Sequence, residues 1–104
     1  MSNNKQNTHI MSQVPNLRTF VVRFISPSNT RGARVSISEP AQEMLFGRTH
    51  KVTIPYDHRY NSCKEVALAH LEGLGFDIKC TGEDSKGYVI MADNWGLDFI
   101  ELTK

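Results

Sequence analysis

One helical pattern, which carries its own start and stop signals, constrains this chain more than any other feature of its sequence. Ser62 followed by Glu65 is a capping box, in which each side chain bonds a backbone amide left unpaired at the helix start. Apolar residues then recur at helical spacing, and Gly75 suits the left-handed position that commonly ends a helix. We therefore predict a helix from about residue 62 to 74, with a buried stripe of Cys63, Val66, Ala67, His70, Leu71 and Leu74.

Short segments with period-two alternation surround this helix and predict strands. Clusters of turn-forming residues at 27–32 and 83–87 join neighbouring strands. Before the helix, the residues predicted to face inward are Phe20, Val22 and Phe24 in 17–25, Val35 and Ile37 in 33–38, and Val52 and Ile54 in 51–54. After it, strands are predicted at 76–81, with Phe76, Ile78 and Cys80 on one face, and at 88–92.

The element order β-β-β-α-β-β predicts an α+β fold, an antiparallel β-sheet of about five strands with one helix packed on one face. Two segments each allow more than one structure. Residues 39–47 fit a short helical turn, because Pro40 suits the first helical position and Gly47 suits the end. Residues 97–102 fit either a sixth strand or a segment that packs across the sheet.

The length of 104 residues favours a single hydrophobic core. Residues 1–16 are rich in Asn, Gln and Ser and are predicted to be a disordered N-terminal tail, so that residues 17–104 form a single α+β domain. No apolar run approaches the roughly 18 residues of a membrane span, and the N-terminus lacks the apolar core of a secretory signal. The expectation is a cytoplasmic protein with no membrane partner, in the host cell cytoplasm if a phage encodes it.

The formal net charge is only +1, but the charges are unevenly distributed. Residues 17–64 contain eight Lys/Arg and three Asp/Glu, whereas residues 65–104 contain three and eight. The folded domain would then carry a basic and an acidic face, able to bind an anion or to pair with another copy as a homodimer. The alternative is ordinary surface charge that folding intermixes.

A simple meander of the first three strands brings two loops to the edge where the helix begins. The loop at 27–32 and the segment at 55–61 would both emerge there, beside helix amides that favour anions. Arginine suits phosphate or carboxylate through its planar fork. The predicted binding residues are Thr30, Arg31, Arg34, Tyr56, Asp57 and Arg59. The alternative interpretation is a tight turn at 29–32 and a salt bridge between Asp57 and an arginine.

Three segments together resemble a family of small uncharacterised proteins of phages and bacterial mobile elements. They are Ser-Asn-Thr-Arg-Gly-Ala-Arg-Val at 28–35, Val-Thr-Ile-Pro-Tyr-Asp at 52–57, and a short helix ending in Gly75-Phe76. The family has an N-T-R/K-G-S/A-R-I/V loop and a T-V/I-P-Y-D strand end. The resemblance covers about residues 25–91 and implies a mobile-element setting without a particular activity. His58 replaces the family's usual aromatic residue, and the stretch at 39–50 is longer than usual.

Neither catalysis nor metal binding is predicted. Cys63 with His58 is the only candidate nucleophile and base, but the buried helix stripe also claims Cys63 and no third group orients the pair. The His and Cys spacing, at residues 50, 58, 63 and 80, matches no zinc ligand pattern, and both cysteines are expected to be reduced. No cofactor is implied.

Three tyrosines, Tyr56, Tyr60 and Tyr88, fit either base stacking or an ordinary place at the edge of the core. Two functional hypotheses follow from the sequence. The first is a non-enzymatic binding protein of a phage or mobile element that binds nucleic acid or a nucleotide at the arginine-rich edge. The second is a protein-directed inhibitor or adaptor acting on a host protein, for example one of a defence system.

Overall fold

The computed structural model describes residues 16–42, 47 and 50–103. The strands are β1 (Arg18–Ile25), β2 (Arg34–Ser38), β3 (Lys51–Pro55), β4 (Ile78–Asp84) and β5 (Gly87–Ala92). Between β3 and β4 lies the helix α1 (Cys63–Gly73), and a short helix α2 (Phe99–Thr103) follows β5.

The strands form one antiparallel sheet in the order β3-β2-β1-β5-β4. The first three strands pair in sequence order as a meander. After α1, the β4–β5 hairpin returns so that β5 pairs with the other side of β1, which leaves β3 and β4 at the sheet edges. The predicted α+β class, with an antiparallel sheet of five strands and a helix on one face, is confirmed.

Alternation along the strands gives the sheet two faces of different character. The covered face packs against α1, and its central residues are fully buried: Phe20, Val22, Val35, Ile37, Ile90 and Ala92. The opposite face carries half-buried aliphatic residues beside small polar ones, such as Val21, Val89 and Ser38. The inward rows predicted for the first two strands are confirmed, apart from Phe24.

The capping signals of α1 act as predicted, with one difference in register. Ser62 Oγ accepts the amide of Glu65 at 3.3 Å, and the Glu65 carboxylate accepts the amide of Asn61 at 2.7 Å, one residue before the expected partner. Gly75 has a φ of 103°, which a side chain would strain. The buried stripe comprises Cys63, Val66, Ala67 and Leu71, while His70 and Leu74 are half-buried.

A β-bulge in β4 changes one prediction. Ile78 pairs with Ala92 and Cys80 pairs with Met91, so that Lys79 is an extra residue on β4. Because one inserted residue reverses the side-chain alternation that follows, Cys80 lies on the opposite face and is exposed. The prediction that Cys80 shares the face of Ile78 is therefore wrong.

For residues 97–102 the sequence left a strand or a segment packed across the sheet open, and the structure has the helix α2, which begins at Phe99. Asp98 Oδ1 accepts the amide of Glu101 at 3.1 Å, which is the N-cap bond of α2. Phe99 is fully buried, and its ring meets that of Phe20 edge to face at 5.1 Å. The sequence does contain a capping signal for this helix, since Asp98 stands three positions before Glu101. One capping residue does not outweigh the apolar pattern of the segment, which also fits a strand.

A buried ion pair joins the start of β1 to the residue after β2, and its guanidinium also binds the chain after β5. Arg18 is 4% exposed and Glu39 is 1% exposed, and the two carboxylate oxygens accept Nε and Nη2 at 2.7 and 2.9 Å. Nη1 donates to the carbonyls of Asn94 and Leu97 at 2.8 and 2.6 Å. A buried guanidinium is tolerated only when it is paired and hydrogen-bonded in this way. The sequence did not predict this pair, although strand alternation places Arg18 on the same face as Phe20.

Two predicted segments fall largely outside the described residues. Residues 40–42 are helical and Gly47 has a φ of 67°, both as the predicted helical turn requires, but 43–46 and 48–49 are not described. Of the predicted tail at 1–16, only Asn16 is described, and its carbonyl accepts the Trp95 indole N–H at 2.9 Å.

Candidate functional site

An apolar groove lies where the loop after β1, the segment after β3 and the first turn of α1 meet. The Tyr56 amide donates to the Ala33 carbonyl at 3.0 Å, which extends the β2–β3 pairing and brings the two loops together. The groove has a volume of about 410 Å³ and is lined by Phe24, Ala33, Tyr56, His58, Ser62, Cys63 and Tyr88. We refer to it as the aromatic groove.

Aromatic rings from three different elements form its walls. Phe24 of β1 and Tyr56 after β3 meet edge to face, with ring centroids 5.9 Å apart, and His58 lies 5.1 Å from Tyr56. Tyr88 of β5 forms the other wall, and the Lys64 ammonium lies 5.4 Å from its ring centroid. Such a contact between a cation and a ring is attractive and holds the lysine beside the groove.

Phe24 was predicted to face inward, and the prediction that it is buried is wrong. The residue shares its face with Phe20 and Val22, as the alternation requires, yet it is 50% exposed. Its row continues past the core into the groove. A large apolar side chain left half exposed beside other rings is typical of a binding surface rather than of a core.

The predicted site residues Asp57 and Arg59 form a bidentate ion pair on the surface. Arg59 Nη2 lies 2.6 Å from one Asp57 oxygen, and its Nε lies 3.0 Å from the other. Hydrogen bonds from Arg59 lower the pKa of Asp57 to about 2. Asp57 therefore neutralises one of the three predicted arginines, which is the salt bridge that the alternative interpretation described.

Arg31 and Arg34 lie on different parts of the molecule. Arg31 is exposed in the loop with Thr30. The Ser28 amide donates to the Arg31 carbonyl at 2.7 Å, and the Arg31 amide donates to Ser28 Oγ at 3.2 Å. Arg34 precedes the buried Val35 on β2, so alternation directs it to the opposite face, away from α1. Its Nε is buried and has no hydrogen-bond partner among the described residues. Tyr56 and the loop that carries Arg31 thus border the groove, whereas Arg34 lies on the other face of the sheet.

Cys63 and His58, the candidate nucleophile and base, both line the groove. Burial raises the pKa of the Cys63 thiol, with smaller opposing effects from backbone amides. A thiol that stays protonated is a poor nucleophile. His70, which the sequence placed in the helix stripe, is half-buried with Nε2 3.2 Å from Thr103 Oγ1, and burial lowers its pKa.

A second cavity, of about 270 Å³, lies beside the buried Arg18–Glu39 pair. His50 Nε2 is 3.7 Å from a Glu39 oxygen, and Trp95 places its ring 5.8 Å from the Arg18 guanidinium carbon. The guanidinium there is already bound to a carboxylate and two carbonyls, so its role is structural. Within the described ranges, no group of three His, Cys, Asp or Glu residues is placed to hold a metal ion.

The sequence predictions paired His58 with Cys63 and grouped Tyr56 with Tyr88, but they did not place these two sets in one groove. Nothing in the local pattern predicts that Tyr88 and Tyr56 line the same groove, because that depends on β5 lying beside β1. For Phe24, a signal existed: it is the last aromatic residue of its row, next to the turn at 27–32.

Comparison of the chain with protein families, with curated proteins and with solved structures gives no match. The resemblance of its loop and strand-end motifs to a mobile-element family therefore stays a prediction. No helix in the described part of the chain is long and apolar enough to cross a membrane.

Proposed function

We propose that this chain is a small non-enzymatic binding protein whose aromatic groove and adjoining loop bind the nucleotide units of an anionic ligand. The observation that carries the proposal is the convergence of Phe24, Tyr56 and Tyr88 on one apolar groove. Bases stack on aromatic side chains, and such stacking contributes roughly 1–3 kcal/mol per base. A groove walled by several rings suits the flat face of a base better than it suits a metabolite without a ring.

Cations near the groove support a ligand that carries phosphate. Lys64 lies over the Tyr88 ring, and Arg31 is exposed in the loop two residues before Ala33, which lines the groove. None of the lining residues is acidic. A base in the groove would therefore have positive charge beside its backbone, as nucleic-acid sites require.

Binding without catalysis and a mobile-element origin rest on separate observations. Burial raises the pKa of the Cys63 thiol, which makes it a poorer nucleophile and supports binding without catalysis. A phage or mobile-element origin, and with it a place in the host cytoplasm, is supported only by the motifs at 28–35 and 52–57.

The test is the affinity for a fluorescein-labelled oligonucleotide of about 12 nucleotides, since known single-strand sites span roughly 4–16. Measured between roughly 50 and 200 mM salt, the affinity should fall steeply, because phosphate contacts release counterions. Arg31→Ala and Lys64→Ala should each weaken binding. Each should also lower the slope of log affinity against log salt concentration by about one. Lys79→Ala, at the far sheet edge, is the matched control and should leave both unchanged. Absence of binding at low salt would overturn the proposal.

A protein-directed inhibitor or adaptor is the second candidate, and the half-exposed Phe24 favours it. Aromatic residues are enriched at protein interfaces, where they anchor a partner in apolar pockets. Under this function the chain would bind no oligonucleotide at either salt concentration. Phe24→Ala, and not Lys64→Ala, would then abolish its effect on a partner.

A further inference from the structure

We infer that the aromatic groove binds single-stranded nucleic acid and does not select its base sequence. This inference rests on the proposed function and narrows its ligand. It follows from which polar atoms of the groove are free to contact a base. A site that reads sequence needs fixed donors and acceptors facing the base edges, whereas a stacking site needs only ring faces.

The fixed polar groups around the groove are already bonded within the protein. The Tyr56 hydroxyl donates to the Tyr60 carbonyl at 3.3 Å, and Ser62 Oγ accepts the amide of Glu65 at 3.3 Å. The Ala33 carbonyl accepts the Tyr56 amide at 3.0 Å. These bonds also build the groove, since they hold the loop, the segment after β3 and the helix cap in place. Each of these groups therefore has fewer donor or acceptor positions left for a base edge than a free group would have.

The Tyr88 hydroxyl and the imidazole of His58 make no hydrogen bond to the residues that the structure describes, and both adapt to any base. A tyrosine hydroxyl rotates and both donates and accepts, and a neutral imidazole places its proton on either nitrogen. Neither group therefore distinguishes one base edge from another.

Stacking on the groove rings distinguishes single from double strands. A ring can stack on a base only if that base is not already stacked inside a duplex. A volume of about 410 Å³ falls within the roughly 300–1,000 Å³ of small-ligand sites, so it holds about one nucleotide at a time. Any preference among bases is then modest and follows stacking strength and the flexibility of the strand.

The experiment measures fluorescence anisotropy of the full chain with four probes at low salt. The probes are oligo-dA, oligo-dT and a mixed sequence, each of about 12 nucleotides, and the duplex of the mixed sequence. All three single strands should bind within about tenfold of one another. The duplex should bind at least about tenfold more weakly, because its bases cannot enter the groove.

Two substitutions of Tyr88 separate the contribution of its ring to binding from that of its hydroxyl. Tyr88→Leu should weaken binding of every single strand by about tenfold, the loss of one stacked base. Tyr88→Phe keeps the ring and should bind like the natural chain. Phe24→Leu, at a half-exposed position that folding tolerates, provides a second stacking variant. Trp95→Leu changes an exposed aromatic outside the groove and should have no effect on binding.

The outcomes distinguish the inference from the function on which it rests. Duplex binding as tight as single-strand binding, or a preference of about a hundredfold for one base, overturns the inference and leaves nucleic-acid binding standing. A loss of binding in Tyr88→Phe equal to that in Tyr88→Leu also overturns it, because the hydroxyl would then read the base. Absence of binding to all four probes overturns the proposed function itself.

Discussion

Two arginine–carboxylate pairs of the same chemistry lie in opposite surroundings in this protein. Arg18 and Glu39 are buried together under the sheet end, whereas Arg59 and Asp57 form a bidentate pair in a turn, with the Arg59 side chain 84% exposed. Water screens the exposed pair and competes for it, while the buried pair has no such alternative partner. The two pairs should therefore respond very differently to the loss of one partner.

Glu39→Ala should destabilise the fold by about 3–5 kcal/mol, because it leaves the Arg18 guanidinium buried with its charge uncompensated. Urea unfolding followed by circular dichroism measures the change. Arg59→Ala is the matched control on the exposed pair, and its unfolding midpoint should stay close to that of the natural chain. Equal effects of the two substitutions would contradict the burial of the Arg18 pair.

Asp57 should titrate with a pKa of about 2, and Arg59→Ala should return it toward its usual 3.8. Because the folded-state pKa lies below the ordinary value, the ion pair contributes stability above pH 3.8 and loses it as the pH falls toward 2. Carboxyl chemical shifts recorded by NMR between these limits give both values. A titration near 3.8 in the natural chain would show that the pair does not form in solution.

The elements of this fold depend on local signals and on packing to different degrees. Helix α1 has both a cap and a buried stripe, while α2 is short and relies on Asp98 and on the burial of Phe99. Strand β4 is exposed along nearly its whole length and contains a bulge, which is one way that natural sheets protect an edge.

Within α1, packing should matter more than capping. Leu71→Ala should cost about 2–5 kcal/mol, because Leu71 is fully buried against the sheet and its removal leaves a cavity. Ser62→Ala should cost about 1 kcal/mol, the usual effect of a lost N-cap. Chemical denaturation of both variants measures the difference. If the costs prove equal, α1 does not pack through the face that the structure shows.

At the scale of the whole molecule, the aromatic groove exists only because distant segments meet. β5 lies beside β1 after the crossover through α1, and this places Tyr88 across from Phe24 and Tyr56. The loop of Arg31 and the first turn of α1 close the same space from the other side. The groove adjoins the core, since Tyr56 and Tyr88 pack against it and Cys63 belongs to both. Phe24, which is 50% exposed, is therefore the groove ring that folding needs least.

Removal of residues 1–15 should leave the thermal midpoint nearly unchanged. Their sequence has no apolar periodicity with which to join the core, and the deletion keeps Asn16, whose carbonyl binds Trp95. Thermal unfolding of the shortened chain tests this. A loss above about 1 kcal/mol, a large share of the stability of a small domain, would show that the segment takes part in the fold.

The sequence by itself determined the elements and most of their inward residues. Alternation in 17–25 and 33–38 and the cap and stripe of α1 are local properties, because they depend on residues two to four positions apart. The meander of the first three strands also followed from the pairing of strands that are neighbours in the chain. The α+β class was therefore predictable without any knowledge of long-range contacts.

Only the tertiary structure decided the relations between distant residues. The bulge at Lys79 moved Cys80 to the opposite face, and Arg18 found its partner in Glu39, 21 positions along the chain. Arg34 lies across the sheet from the groove, whose walls come from separate elements. Local patterns contain no information about such pairings, since burial and electrostatic compensation are properties of the assembled core and of the neighbours it brings together.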